Sequence, residues 1–111
     1  MSQAYVLIIE PLPDQSKELQ DSVAKAGQLS RIAHSAKQAI EILKNEFIGL
    51  VILNLDLPDI SGLEFFNQIK TSLLRVPVIL TAADTTPRQA VDAIRAGAVD
   101  FWLKPIQPEL V

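Results

Sequence analysis

The chain has 111 residues, enough for one domain, and its 49% hydrophobic and 21% charged composition is that of a globular fold with a buried core. A net charge of −3, from 10 basic and 13 acidic residues, concentrates no cations for a phosphate backbone, so direct nucleic-acid binding is not expected. The lack of cysteine removes disulfides, thiolate catalysis and Cys-ligated metal centres, and the short apolar run Val6-Leu7-Ile8-Ile9, closed by Glu10, is neither a signal peptide nor a membrane span.

Val6 to Ile9 reads as a strand buried on both faces. Pro13-Asp14 opens a helical stretch with Leu19, Val23 and Ala26 on one face, and Gly27 marks its stop. Leu29 to Ala33 is a weaker strand, expected nearer an edge. Ser35 with Gln38 forms a capping-box pattern, and the helix after it is expected to bury Ala36, Ala39, Ile40 and Leu43. Leu50 to Leu53 is a second clear buried strand. The loop from Asn54 to Gly62 leads to a helix carrying Leu63, Phe66 and Ile69. Val76 to Leu80 is a further buried strand with Thr81 at its end. Thr86 and Gln89 repeat the capping box, Pro87 suits the first helical position, and Ala90, Val91 and Ile94 are expected inward before a stop at Gly97. Val99 to Leu103 is the fifth strand, closed by Lys104-Pro105. Pro108 suits the first turn of a fifth helix, which is barely begun at Val111, so residues 1–111 read as a single domain forming the N-terminal part of a longer protein.

Five strands alternating with four complete helices imply an α/β fold, a doubly wound parallel sheet with helices on both faces. Ligands of such sheets bind beyond the carboxyl ends of the strands, near the switch in strand order. Those ends supply Glu10, Asn54, Thr81 and Lys104, with Asp56 just beyond.

Four spaced segments resemble the receiver domain of bacterial response regulators. They are the run ending in Glu10, the segment Leu50 to Gly62 with its Pro58-x-x-x-Gly62 loop, the run Val78 to Ala82 with a hydroxyl at Thr81, and Ala96 to Pro105 with Phe101 and Lys104. The resemblance covers essentially the whole chain and implies the flavodoxin-like strand order 2-1-3-4-5, with the fifth helix truncated. It also implies a cytoplasmic, non-enzymatic module of two-component phosphorelay signalling. Residue by residue, however, the position of the acceptor Asp, four before Pro58, holds Asn54, and the acidic pair at the end of the first strand is Glu10 and Pro11. The switch positions Thr81 and Phe101 and the lysine, Lys104, are kept. The chain thus resembles a pseudo-receiver.

An amide is a poor nucleophile because its lone pairs are delocalised and it carries no charge, so no acyl phosphate is expected at Asn54. Magnesium prefers carboxylate oxygens. Glu10 and Asp56 are the weak candidate ligands left, so no cofactor, and weak or absent magnesium binding, is expected. The expected partner is a protein or the domain's own output domain, met through the fourth helix and fifth strand, with a histidine kinase as a further partner. A Trp102 left uncovered by the truncated helix would favour a homodimer. Asp56 is better read as a solvated loop carboxylate than as a relocated acceptor, and His34 as a surface residue. Two rivals fare worse. An ordinary receiver with its acceptor Asp engineered to Asn leaves Pro11 unexplained. A flavin or small-molecule binder would need a glycine-rich phosphate cradle, and Pro11-Leu12-Pro13-Asp14 has none.

Overall fold

A computed structural model describes residues 4–71, 76–83 and 87–104. In chain order the elements are β1 (Tyr5–Ile9), α1 (Pro13–Lys25), β2 (Ser30–Ala33), α2 (Ala36–Asn45), β3 (Ile48–Asn54), α3 (Gly62–Thr71), β4 (Val78–Ala82), α4 (Pro87–Arg95) and β5 (Asp100–Leu103). The five strands form one sheet in the order β2-β1-β3-β4-β5, every neighbouring pair parallel. The expected topology is therefore observed, and β2 and β5 are the edges.

Strand alternation divides the core in two. Leu7, Ile9, Val51, Leu53, Val78 and Leu80 point to the face covered by α2, α3 and α4. Val6, Ile8, Ile52, Ile79 and Trp102 point to the opposite face, where Leu19 and Val23 of α1 pack on them. The split follows from strand order: β1 to β2 steps one way across the sheet and every later crossover steps the other way, so right-handed connections place α1 on one face and α2, α3 and α4 on the other.

Helix ends follow local chemistry. Ser35 Oγ accepts from Gln38 N at 3.2 Å, as the capping-box pattern predicts, but the Gln38 amide reaches back to His34 N (2.7 Å) rather than to the N-cap itself. Helices α1 and α4 stop at Gly27 (φ +82°) and Gly97 (φ +113°). There Gln28 N donates to Val23 O and Ala98 N to Ala93 O, satisfying carbonyls that the ended helix leaves open.

Several expected core positions turn outward. Ala26 is the exposed C-cap of α1, beyond its buried stripe of Ser16, Leu19 and Val23. Ile40 and Leu63 are exposed, while Ala36, Ala39 and Leu43 of α2 and Phe65, Phe66 and Ile69 of α3 are buried. On α4 Ala93 is buried and Ala90 half-buried, while Val91 and Ile94 are 48% and 46% exposed. The error is one of phase: over nine or ten residues an apolar set fits two helical faces about equally well, and contact with the sheet decides between them. The strands shift by a residue or two from expectation, β2 starting at Ser30, β4 at Val78 and β5 at Asp100. Trp102, expected to be uncovered, is 7% exposed within the α1-side core, and its ring N–H donates to Asp100 Oδ2 at 3.0 Å. Thr86, the Lys104-Pro105 bond and the fifth-helix start at Pro108 lie outside the described residues.

Gly62 sets how closely α3 approaches the end of β3. A Cβ there would lie 2.4 Å from Asn54 O and 2.4 Å from Leu55 Cα, both backbone atoms that cannot swing away. Replacing Gly62 with Ala should therefore cost about 2 kcal/mol or more in urea unfolding, through strain at the loop neck. An unchanged midpoint would show that the neck relaxes freely.

Candidate site at the strand ends

The sheet reverses its order beside β1, so the crevice beyond β1 and β3 is the switch point. Glu10 follows β1 there, Asn54 ends β3, Thr81 lies near the end of β4, and Lys104 follows β5. Main-chain bonds hold these ends in register: Glu10 N to Ala33 O (2.9 Å), Leu55 N to Thr81 O (2.9 Å) and Lys104 N to Ala82 O (2.8 Å).

Glu10 is 1% exposed, a charge almost fully removed from water. Burial of that kind is tolerated only when the charge is paired and its remaining lone pairs are used. Both conditions are met. Oε1 receives Lys104 Nζ at 2.5 Å and Asn54 Nδ2 at 2.8 Å, and Oε2 receives Leu12 N at 3.1 Å. Asn54, itself 3% exposed, uses its other end as well, Oδ1 accepting Asp56 N at 2.7 Å. A continuous polar chain therefore runs Lys104–Glu10–Asn54–Asp56, from β5 across β1 and β3 into the β3–α3 loop.

Glu10, Asn54, Thr81 and Lys104 are thus brought together at one end of the sheet. Pro11 is next to Glu10 and contributes no side-chain oxygen. Asp56 joins the chain through its main-chain N–H, and its residue is exposed. Phe101 is half-buried against the core on the α2–α4 side. Thr81 is buried. His34 is more engaged than a free surface residue: it is half-buried, with Nδ1 2.9 Å from Glu10 O. Since a carbonyl only accepts, that geometry fixes the Nδ1–H tautomer in the neutral ring.

Asp59 was not singled out by the sequence. Its Oδ1 accepts Ala36 N (3.1 Å) and Ile60 N (3.2 Å), and its Oδ2 accepts Lys37 N (3.0 Å). With Ser35 taking Gln38 N, the first three amides of α2 are all satisfied, two of them by a carboxylate from the β3–α3 loop. Slight desolvation raises the Asp59 pKa, but the donors at Ala36, Lys37, Asp59 and Ile60 outweigh it, and the pKa lies below its ordinary value of 3.8. No local pattern predicts this contact, because it joins residues 23 apart.

Among the described residues, no three His, Cys, Asp or Glu side chains converge on a point that could hold a metal ion, and no helix is long and apolar enough to cross a membrane.

A family model described as response regulator receiver domain matches residues 6–111. Among curated proteins, the chain is 33% identical over 113 residues to a probable cyclic di-GMP phosphodiesterase of Vibrio cholerae serotype O1, covering 100% of this chain and 25% of that protein. It is 32% identical over 106 residues to the response regulator protein PilR of Pseudomonas aeruginosa, covering 96% and 24%. The chain therefore spans about a quarter of the length of these relatives. Among solved structures, the signal receiver domain of a putative Luxo repressor protein from Vibrio parahaemolyticus superposes with a TM-score of 0.91 at 27% identity, covering 97% of this chain and 83% of that one. A response regulator receiver protein from Pseudomonas putida gives a TM-score of 0.90 at 28% identity, covering 99% and 93%.

Two outcomes follow from the buried charge and the Asp59 contact. Lys104→Met should cost about 3 kcal/mol in urea unfolding, because it strands a buried carboxylate, and adding Glu10→Gln should recover part of that loss. Additive losses in the double variant would contradict the coupling. For Asp59, a lowered folded pKa means stability that is present above the unfolded value and lost as pH falls through the folded one. The gap in unfolding midpoint between the natural chain and Asp59→Asn should thus be widest at neutral pH and close below about pH 4.

Proposed function

Because this chain belongs to the response regulator receiver family, we propose that it is an atypical receiver that signals by protein contact without being phosphorylated at the usual position. The observation that carries this reading is the state of Asn54. Both ends of its amide are occupied, Nδ2 by Glu10 and Oδ1 by the main chain of Asp56. The amide has no nucleophilic oxygen to offer, and it sits as a neutral strut where attack on a phosphoryl group needs a carboxylate.

The charges support the same reading. Glu10 already shares its charge with Lys104 and takes donors from Asn54 and Leu12 N on its two oxygens, so a magnesium ion would compete with the lysine for the charge of that carboxylate, and the residues present fit it poorly. Pro11 adds no ligand, and Asp56 stands exposed in the loop. Lys104 has its counter-charge inside the protein already. We therefore read Thr81, Phe101 and Lys104 as retained switch positions held in one arrangement, in a cytoplasmic signalling module rather than an enzyme.

For the contact surface we favour α4 and β5, where Val91, Ile94 and Leu103 are exposed. The partner there is an output domain, another signalling protein or a second copy. A histidine kinase docked on this chain would find no acceptor carboxylate at position 54.

Intact mass after incubation with acetyl phosphate and magnesium tests the reading, with Asn54→Asp alongside. The natural chain should stay unmodified. Modification of the variant alone would assign the loss to Asn54, and failure of both would implicate Pro11 and the metal ligands. A phosphoryl group on the natural chain would overturn the proposal, and peptide mapping would begin at Asp56.

A further inference from the structure

The loop between β3 and α3 is closed at its neck and anchored at its tip. At the neck, Gly62 N donates to Leu55 O at 2.8 Å and Asp56 bridges Ser61 in antiparallel fashion. Asn54 Oδ1 holds the same neck from the strand side through Asp56 N. At the tip, Asp59 grips the first turn of α2 through Ala36 N and Lys37 N, and holds its own loop through Ile60 N. Between these points Leu57 and Ile60 rest on the core. A short closed loop held at both ends transmits displacement instead of absorbing it.

We infer that Asp59 is a positioning residue for the strand-end site, a clip through which the start of α2 fixes the β3–α3 loop and so the orientation of the Asn54 amide. The clip builds on the reading of Asn54 as a structural strut, and it gives that strut a second control point on the far side of the loop. Anything that draws α2 away from the sheet, a bound partner included, pulls on Asp59, and the loop carries the pull to Asp56 N and Asn54. The Glu10–Lys104 pair, joined to Asn54, then receives it. Ser35 offers a natural comparison, since its hydroxyl caps the same helix from within by accepting from Gln38 N.

The test is NMR of the chain with Asp59→Ala, Asp59→Asn and Ser35→Ala variants, following the Asn54 side-chain NH₂ resonances and the exchange of the Asp56 amide. Both alanine variants remove a cap of α2, and each should speed exchange in its first turn by roughly tenfold. Only Asp59→Ala should also shift the Asn54 NH₂ pair and speed Asp56 exchange by a similar factor, with Asp59→Asn, which keeps one acceptor oxygen, in between. If Asn54 and Asp56 are unmoved in Asp59→Ala, Leu57 and Ile60 hold the loop by themselves and the inference fails. It fails equally if Ser35→Ala moves Asn54 as far, because fraying of α2 would then be the cause. Neither result depends on whether the domain accepts a phosphoryl group, which the mass experiment reads separately.

Discussion

A carboxylate buried at the end of β1 constrains everything around it. Glu10 is out of water, and in that setting its charge must be neutralised and each oxygen given a donor. Lys104 supplies the opposite charge, Asn54 and Leu12 supply donors, and the positions of β5, β3 and the start of α1 are fixed as a result. A carboxylate in place of Asn54 would present an acceptor to an acceptor across 2.8 Å, two like charges that call for a further cation. The amide removes that demand. The site closes on itself with groups the chain already carries.

What the sequence made legible, and what it did not, divides along the range of the interactions. Strand identity, order of elements, edge position of β2 and both glycine stops follow from local signals: unbroken apolar runs, turn residues and the alternation of periods. Strand ends were enough to name Glu10, Asn54, Thr81 and Lys104, because a parallel sheet must present its carboxyl ends together. The faces of short helices were less accessible. Ile40, Val91 and Ile94 were expected inward and are exposed, while Ala39 and Ala93 face the core. Trp102 was expected to stand open, yet it lies in the α1-side core with its N–H satisfied by Asp100.

Asp59 and His34 show the other limit. Asp59 reads locally as an ordinary turn residue after Pro58, and His34 as a solitary ring at a strand end. Their partners come from elements far along the chain: the first turn of α2 for one, the main chain of Glu10 for the other. No periodicity or spacing rule encodes such contacts. They become visible only when crossovers bring the ends of β1, β2 and β3 to one side. The comparison with receiver relatives adds to this in a specific way, since it establishes the family and fold while leaving the meaning of Asn54 to the local chemistry.

The central place of β1 also has a consequence during synthesis. It pairs with β2, some 24 residues later, and with β3, some 44 later, and its two faces feed both cores. A nascent chain that holds only β1, α1 and β2 lacks both the strand that pairs with the inner edge of β1 and the helices that cover the α2–α4 side. Until Ile48–Asn54 emerges, the edge of β1 that pairs with β3 has no partner strand. The edge strand Ser30–Ala33 is short, and the amide of Gln38 covers the next main-chain N–H, at His34. Both features limit the strand surface that a waiting nascent chain offers to its neighbours.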